Sequence, residues 1–234
     1  VEPWYRFAVM VIRPFLWTFF RHDFRGREHL PKQGGFIVAV NHISYVDPFS
    51  VALFLHTSKR RPRFMAKSSL FKLPLAGSVL RGAKQIPVFR DTADAGKALS
   101  AAVESVRNGQ CVVVYPESTV TRDPDGWPMS AKTGVARLAL TTGAPVIPLG
   151  QWGPQEFLPY GAKRPKPFPR KTLHVTAGPP VDLSEFAGAE LTSEVLRAAT
   201  TKVMNDVTAL VAGIRGETPP ATPYAYRRDD RRSA

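Results

Sequence analysis

His42 and Asp47, in the run Asn41-His42-Ile43-Ser44-Tyr45-Val46-Asp47, are the residues of this 234-residue chain whose types and spacing suit proton transfer. An imidazole takes a proton from a hydroxyl near neutral pH. A carboxylate on its other nitrogen fixes the tautomer and stabilises the imidazolium, as the acid does in a serine-protease triad. No nucleophilic side chain is required if the hydroxyl of an acceptor molecule attacks directly. Taken alone, each residue also has a structural reading: Asp47 before Pro48 suits a helix N-cap, and a histidine at a strand end is often structural.

Stepping outward, residues 36–40 form an apolar run between Gly34-Gly35 and Asn41-His42, which reads as a buried strand that delivers His42 to its end. Pro48 suits the first turn of a helix through Phe49, Val51, Leu53 and Leu55. In open α/β sheets, sites lie at such strand-to-helix junctions. Residues 62–66, 84–89, 111–115, 145–149 and 173–177 read as further strands, with Pro87 placing 84–89 near a sheet edge. Residues 92–108, 130–142 and 193–214 read as helices; in the first, Ala95, Leu99, Ala102, Val103 and Val106 share one face. Residues 154–169, rich in Pro, Lys and Arg, read as an irregular surface connection. Strands alternating with helices imply an α/β fold with a mostly parallel central sheet flanked by helices.

Composition adds boundaries and partners. The chain carries 32 Lys and Arg against 19 Asp and Glu, a net charge of +13. An excess of that size favours an anionic membrane surface, phosphorylated substrates or nucleic acid, or is simply a solvated surface. The lone Cys111 excludes an internal disulfide and lies in an apolar run, where a buried thiol is expected. Trp4, Tyr5, Phe15, Trp17, Phe19 and Phe20 are interrupted by Arg6, Arg13 and Pro14, which argues against a transmembrane helix. That composition fits either a helix lying in the headgroup region or a face packed on the domain. The expected organisation is an N-terminal membrane-interface helical segment (1–24), an α/β domain (25–215) and a mobile basic tail (216–234).

Four blocks occur in order: Asn41-His42-x-Ser44-x-x-Asp47, Gln85-Ile86-Pro87-Val88-Phe89-Arg90, Tyr115-Pro116-Glu117-Ser118-Thr119 and Val146-Ile147-Pro148. Together they resemble the glycerolipid acyltransferase family, whose type member is the bacterial 1-acylglycerol-3-phosphate acyltransferase. Four ordered blocks are far more specific than any one of them. The resemblance covers about residues 25 to 180 and implies acyl transfer from acyl-CoA or acyl carrier protein to the free hydroxyl of lysophosphatidic acid. It implies that His42 is the general base and Asp47 its orienting partner. Arg90 resembles a ligand of the acceptor phosphate, and Lys67 a further lysine that faces it, although a surface charge fits Lys67 as well. Glu117, with Ser118 and Thr119, resembles the block that positions the glycerol backbone.

The third block departs from the family's usual Glu-Gly-Thr-Arg. Glycine is replaced by Ser118, and the arginine arrives two residues late as Arg122, which reaches the phosphate if the loop bulges. A Cβ at 118 narrows the acceptor pocket or disturbs the backbone conformation, so another lysophospholipid or a phosphatidylinositol mannoside stays open as acceptor. No metal and no resident cofactor are expected, and the acyl thioester enters as co-substrate. The implied location is the cytoplasmic face of the cell membrane, peripheral or monotopic, with no nucleic-acid partner. A basic membrane-binding module without catalysis and a hydrolase are the competing readings.

Overall fold

The computed structural model describes residues 3–89 and 95–225. Among them, seven strands form one sheet in the order β1-β7-β6-β2-β5-β3-β4. The strands are β1 (Phe20–Arg25), β2 (Phe36–Val40), β3 (Pro62–Lys67), β4 (Ile86–Val88), β5 (Cys111–Val114), β6 (Val146–Trp152) and β7 (Lys171–Ala177). β2 pairs in parallel with β5 and β6, and β3 in parallel with β5 and β4. β7 is antiparallel to β6, and β1 runs alongside β7. β4, with Pro87, is the edge strand that its proline suggested.

Helices α1 (Pro3–Phe19) and α2 (Asp47–Thr57) cover one face of the sheet. Helices α4 (Ala95–Arg107), α5 (Gly134–Thr142) and α7 (Ser193–Arg215) cover the other. Helix α3 (Ala76–Gly82) lies beside α1, and α6 (Pro154–Phe157) is a single turn. The central strand β2 is buried along its whole length, with apolar side chains facing both layers. A strand covered on both faces has no reason to alternate polar and apolar residues, hence its continuous apolar run.

Four elements differ from their sequence reading. The chain enters the sheet with β1 at Phe20, inside the range assigned to the N-terminal segment. Strand β1 reads Phe-Arg-His-Asp-Phe-Arg and lies at an edge with several side chains exposed, so it lacks an apolar signature. Helix α5 begins at Gly134 rather than 130, because Ser130 N–H donates to the Tyr224 carbonyl and Lys132 N–H to that of Pro116. Within 154–169, α6 buries Phe157, whose ring lies 4.8 Å from that of Phe20. The tail is docked as far as that Tyr224 contact; Arg227, Arg228, Arg231 and Arg232 lie outside the described residues.

The N-terminal helix packs on the domain along one side and leaves the other exposed. Leu16 is fully buried, Tyr5 shares a 2.9 Å hydrogen bond with His56 at the end of α2, and Trp4 packs so closely on Gly82 that a Cβ there would overlap its ring. Phe7, Met10, Val11, Phe15 and Trp17 remain exposed. No helix among the described residues is long and apolar enough to cross a membrane.

Candidate active site

Because β2, β3, β4 and β5 are parallel, the segments that follow them emerge on the same edge of the sheet. His42 follows β2, Lys67 ends β3 and Glu117 follows β5. The end of β2 is anchored by Asn41. Its side-chain amide donates to the Gln151 carbonyl at 3.1 Å, and its Oδ1 accepts the Gln151 N–H at 2.9 Å. Gln151 Nε2 in turn donates to the Asn41 carbonyl at 2.7 Å. These bonds continue the β2–β6 ladder through side chains, which leaves the main chain free to turn toward α2.

In that turn, His42 Nδ1 lies 2.8 Å from Asp47 Oδ2. The same oxygen accepts the N–H groups of Ile43 at 2.5 Å and Ser44 at 2.9 Å. An oxygen that accepts two backbone donors is not the protonated one, so the shared proton sits on Nδ1 and Nε2 carries the lone pair. Nε2 has no hydrogen-bond partner among the described residues, and the side chain keeps 16% of its surface exposed. Asp47 itself is fully buried. Burial pushes its carboxyl up, and the His42 and backbone donors pull against that. Asp47 is the first residue of α2 and not its N-cap, which is Val46; its carboxylate turns back to His42 and the Ile43 and Ser44 N–H groups instead of capping the helix.

Glu117 braces the histidine from behind. One carboxyl oxygen accepts the His42 N–H at 2.7 Å and the other accepts the Met129 N–H at 2.9 Å. The residue is buried, and that burial pushes its carboxyl up to about 8 against the two backbone donors. Both oxygens are therefore spent inside the protein rather than turned toward an acceptor. Thr121 N–H adds a 2.7 Å bond to the His42 carbonyl, so the 117–129 segment clasps His42 through both its N–H and its carbonyl. Arg215, at the end of α7, holds this segment in place: its guanidinium lies 4.0 Å from the Trp127 ring and 4.3 Å from the Trp152 ring, and it donates to the Asp125 carbonyl at 2.8 Å.

Tyr115 forms the floor of the site. Its ring stacks on His42 with centroids 4.4 Å apart and planes inclined by 33°. Burial holds its phenol well above the usual range, so it remains un-ionised.

Ser118 has φ of +63°, the left-handed conformation that glycine adopts without strain. The turn keeps a glycine-like backbone although the side chain has changed. Its hydroxyl approaches the Pro116 carbonyl at 3.4 Å. We expect Ser118→Gly to raise Tm by about 1–3 °C. About 1–2 kcal/mol of strain is relieved, while about 0.4–1 kcal/mol is lost to the freer unfolded chain. A drop in Tm in a thermal melt would mean that the hydroxyl contact outweighs the strain.

Thr119 is half-buried in the same turn. Arg122 places its guanidinium 3.5 Å from the centre of the Tyr160 ring, beside Tyr45 at the mouth. Lys67 is exposed at the end of β3, two strands from β2 and so about 10 Å across the sheet. Arg90 lies outside the described residues. The structure thus joins His42, Asp47 and Glu117 by direct hydrogen bonds and ranges Lys67 along their edge. Sequence reading did not single out Tyr115, Gln151 or Met129 as parts of the site. Tyr115 and Gln151 reach the turn through strand register and Met129 reaches it through Glu117, and none carries a spacing signal.

Comparison with known proteins agrees with this architecture. A family model described as acyltransferase matches residues 21–152. The crystal structure of the 1-acyl-sn-glycerophosphate acyltransferase of Thermotoga maritima superposes with a TM-score of 0.69 at 27% identity, covering 92% of this chain and 83% of that one. A 1-acyl-sn-glycerol-3-phosphate acyltransferase of Bacillus subtilis is 25% identical over 76% of this chain and 82% of its own length. A chloroplastic 1-acyl-sn-glycerol-3-phosphate acyltransferase of Brassica napus is 29% identical over 63% of this chain, which spans only 42% of that relative. The matched region runs from β1 through β6 and contains the His42–Asp47 turn together with the Glu117 brace; the chain belongs to the glycerolipid acyltransferase family.

Proposed function

We propose that this protein transfers a fatty acyl group from an acyl thioester to the free hydroxyl of lysophosphatidic acid, forming phosphatidic acid. The observation that carries the reading is the 2.8 Å contact of His42 Nδ1 with Asp47 Oδ2, with Nε2 open at the strand-end edge. The names of the relatives from Thermotoga maritima and Bacillus subtilis support the acceptor class.

In this mechanism His42 Nε2 removes the proton from the acceptor hydroxyl as its oxygen attacks the thioester carbonyl. Asp47 stabilises the imidazolium that forms. Collapse of the tetrahedral intermediate breaks the carbon–sulfur bond, and the imidazolium returns its proton to the departing thiolate. Glu117 acts on the acceptor only through the main chain of His42, which it holds in place. Lys67, Arg90 and Arg122 supply positive charge for the acceptor phosphate, and a fixed phosphate presents the hydroxyl to His42. Acyl-CoA and acyl carrier protein both meet the chemical need for a thioester. Action at the cytoplasmic face of the membrane fits both lipid substrates and the exposed apolar side of α1.

The decisive experiment incubates the protein with acyl-CoA or acyl carrier protein and a panel of lysolipids, with products read by mass spectrometry. Phosphatidic acid formed from lysophosphatidic acid is the expected product. A different acylated lysolipid would move the acceptor assignment, and free fatty acid alone would make the protein a thioester hydrolase.

A further inference from the structure

A groove of about 780 Å³ lies away from His42. It runs along α1 and past the end of α2, lined by Arg6, Met10, Arg13 and Trp17 on one side and by His56, Lys59 and Arg61 on the other. Residues 6, 10, 13 and 17 recur at helical spacing and therefore share one face of α1. Asp47 and Lys59 are separated by the length of α2, so the far end of the groove is about 16 Å from the catalytic turn.

Its charge is one-sided. Five basic residues line the groove and no acidic one does. Arg60 is committed to the carbonyls of Pro31, Gly34 and Gly109. Arg6, Arg13, Lys59 and Arg61 have no carboxylate within ion-pair distance among the described residues. Arg13 and Arg61 instead lie over the rings of Trp17 and Tyr5, each 5.7 Å from the ring centre. Lys59 has φ of +61°, a position where glycine would be unstrained. Burial holds His56 below its usual pKa, and the charges of Arg13 and Arg61 add to that. Cations gathered without a counter-ion repel one another, and an anion among them removes that cost.

The geometry points to this groove as a binding site for an anionic phospholipid of the membrane, its phosphate among Arg6, Arg13, Lys59 and Arg61 and its hydrocarbon against Met10 and Trp17. Met10 and Trp17 are 65% and 55% exposed, which supplies the apolar surface that a free phosphate would not use. The site lies away from the reacting groups, and its occupation is read without turnover, so it stands or falls independently of the acyl-transfer reading.

The test is sedimentation of the full chain with vesicles of phosphatidylcholine alone or mixed with phosphatidylglycerol. Preference for the mixed vesicles, weakened about tenfold or more in Lys59→Gly/Arg61→Gln, is the expected result. The lysine substitution relieves a left-handed residue, so this variant is expected to fold, and Arg6→Gln/Arg13→Gln provides a second reading. The control is Arg107→Gln/Arg197→Gln, which removes the same charge from exposed positions on the opposite layer. An equal loss in the control would assign the preference to overall charge and overturn the site. Unchanged binding in both groove variants would overturn it as well. Displacement by inorganic phosphate, beyond the effect of chloride at equal ionic strength, would make it a site for soluble phosphate instead.

Discussion

His42→Ala is expected to lower kcat/KM for acyl transfer by about 10²–10⁴-fold, the range for loss of a general base, while the protein stays folded. Asp47 Oδ2 retains the Ile43 and Ser44 N–H bonds in this variant, so the turn loses one of three interactions at that oxygen. A circular dichroism melt separates a folded, inactive protein from an unfolded one. Full thioester-dependent transfer by folded His42→Ala would end the catalytic assignment.

The companion variant Asp47→Asn sharpens this expectation. All three donors converge on Oδ2, whereas Oδ1 is buried with no partner in the structure. An asparagine can place its carbonyl oxygen where Oδ2 stands and keep the His42 tautomer, losing only the negative charge opposite the imidazolium. The expected loss is therefore about 10–10²-fold, smaller than the ~10⁴-fold seen when an amide inverts the tautomer. A loss as large as that of His42→Ala would show that the side chain turns its NH₂ toward Nδ1. Measured in one assay, the two variants separate proton transfer from stabilisation of its product.

The second large effect is expected from Glu117→Gln. The carboxyl group accepts from two backbone donors at once, His42 N–H and Met129 N–H. Glutamine has one acceptor oxygen, so its NH₂ must face one of those N–H groups and leave a buried donor unpaired, at about 1–3 kcal/mol. Activity should fall about tenfold or more through kcat, because the displaced group carries the base. A rise in KM for the acceptor with kcat preserved would instead place Glu117 against the glycerol backbone.

The same substitution changes the dependence of stability on pH. The Glu117 carboxyl titrates near 8 in the folded protein and near 4.5 ordinarily. The folded chain therefore holds a proton that the unfolded chain releases across that window. Its contribution to stability is fully present below about 4.5 and is lost as pH rises through about 8. Wild-type Tm should decline over that interval more steeply than the Tm of Glu117→Gln, which has nothing to titrate there. Parallel Tm–pH curves for the two proteins would refute the buried carboxyl as their source.

What could be read in the sequence was local or periodic. The strand at 36–40, the turn and the start of α2 at Asp47 are contiguous, so a single bend sets the His42–Asp47 contact and the spacing betrays it. Helix α4 follows from apolar periodicity, and the mostly parallel sheet follows from strands alternating with helices. Strand β1 was missed because an edge strand with charged residues lacks that pattern.

The rest required the chain to be folded. Glu117 meets His42 across 75 residues only because β2 and β5 pair with Ala39 opposite Val114, which brings the segments after them to one level. The same is true of the Asn41–Gln151 clamp and of the Arg215 guanidinium between two tryptophans. Hydrogen-bond direction also lay beyond sequence. The glutamate of the third block could have faced a ligand or the backbone, and only its two buried N–H partners decided for the backbone. The sequence by itself marked out the residues suited to the chemistry, through type and local spacing. Tertiary structure decided which of them face open space and which hold the others, because strand register and burial assign each polar atom its partner.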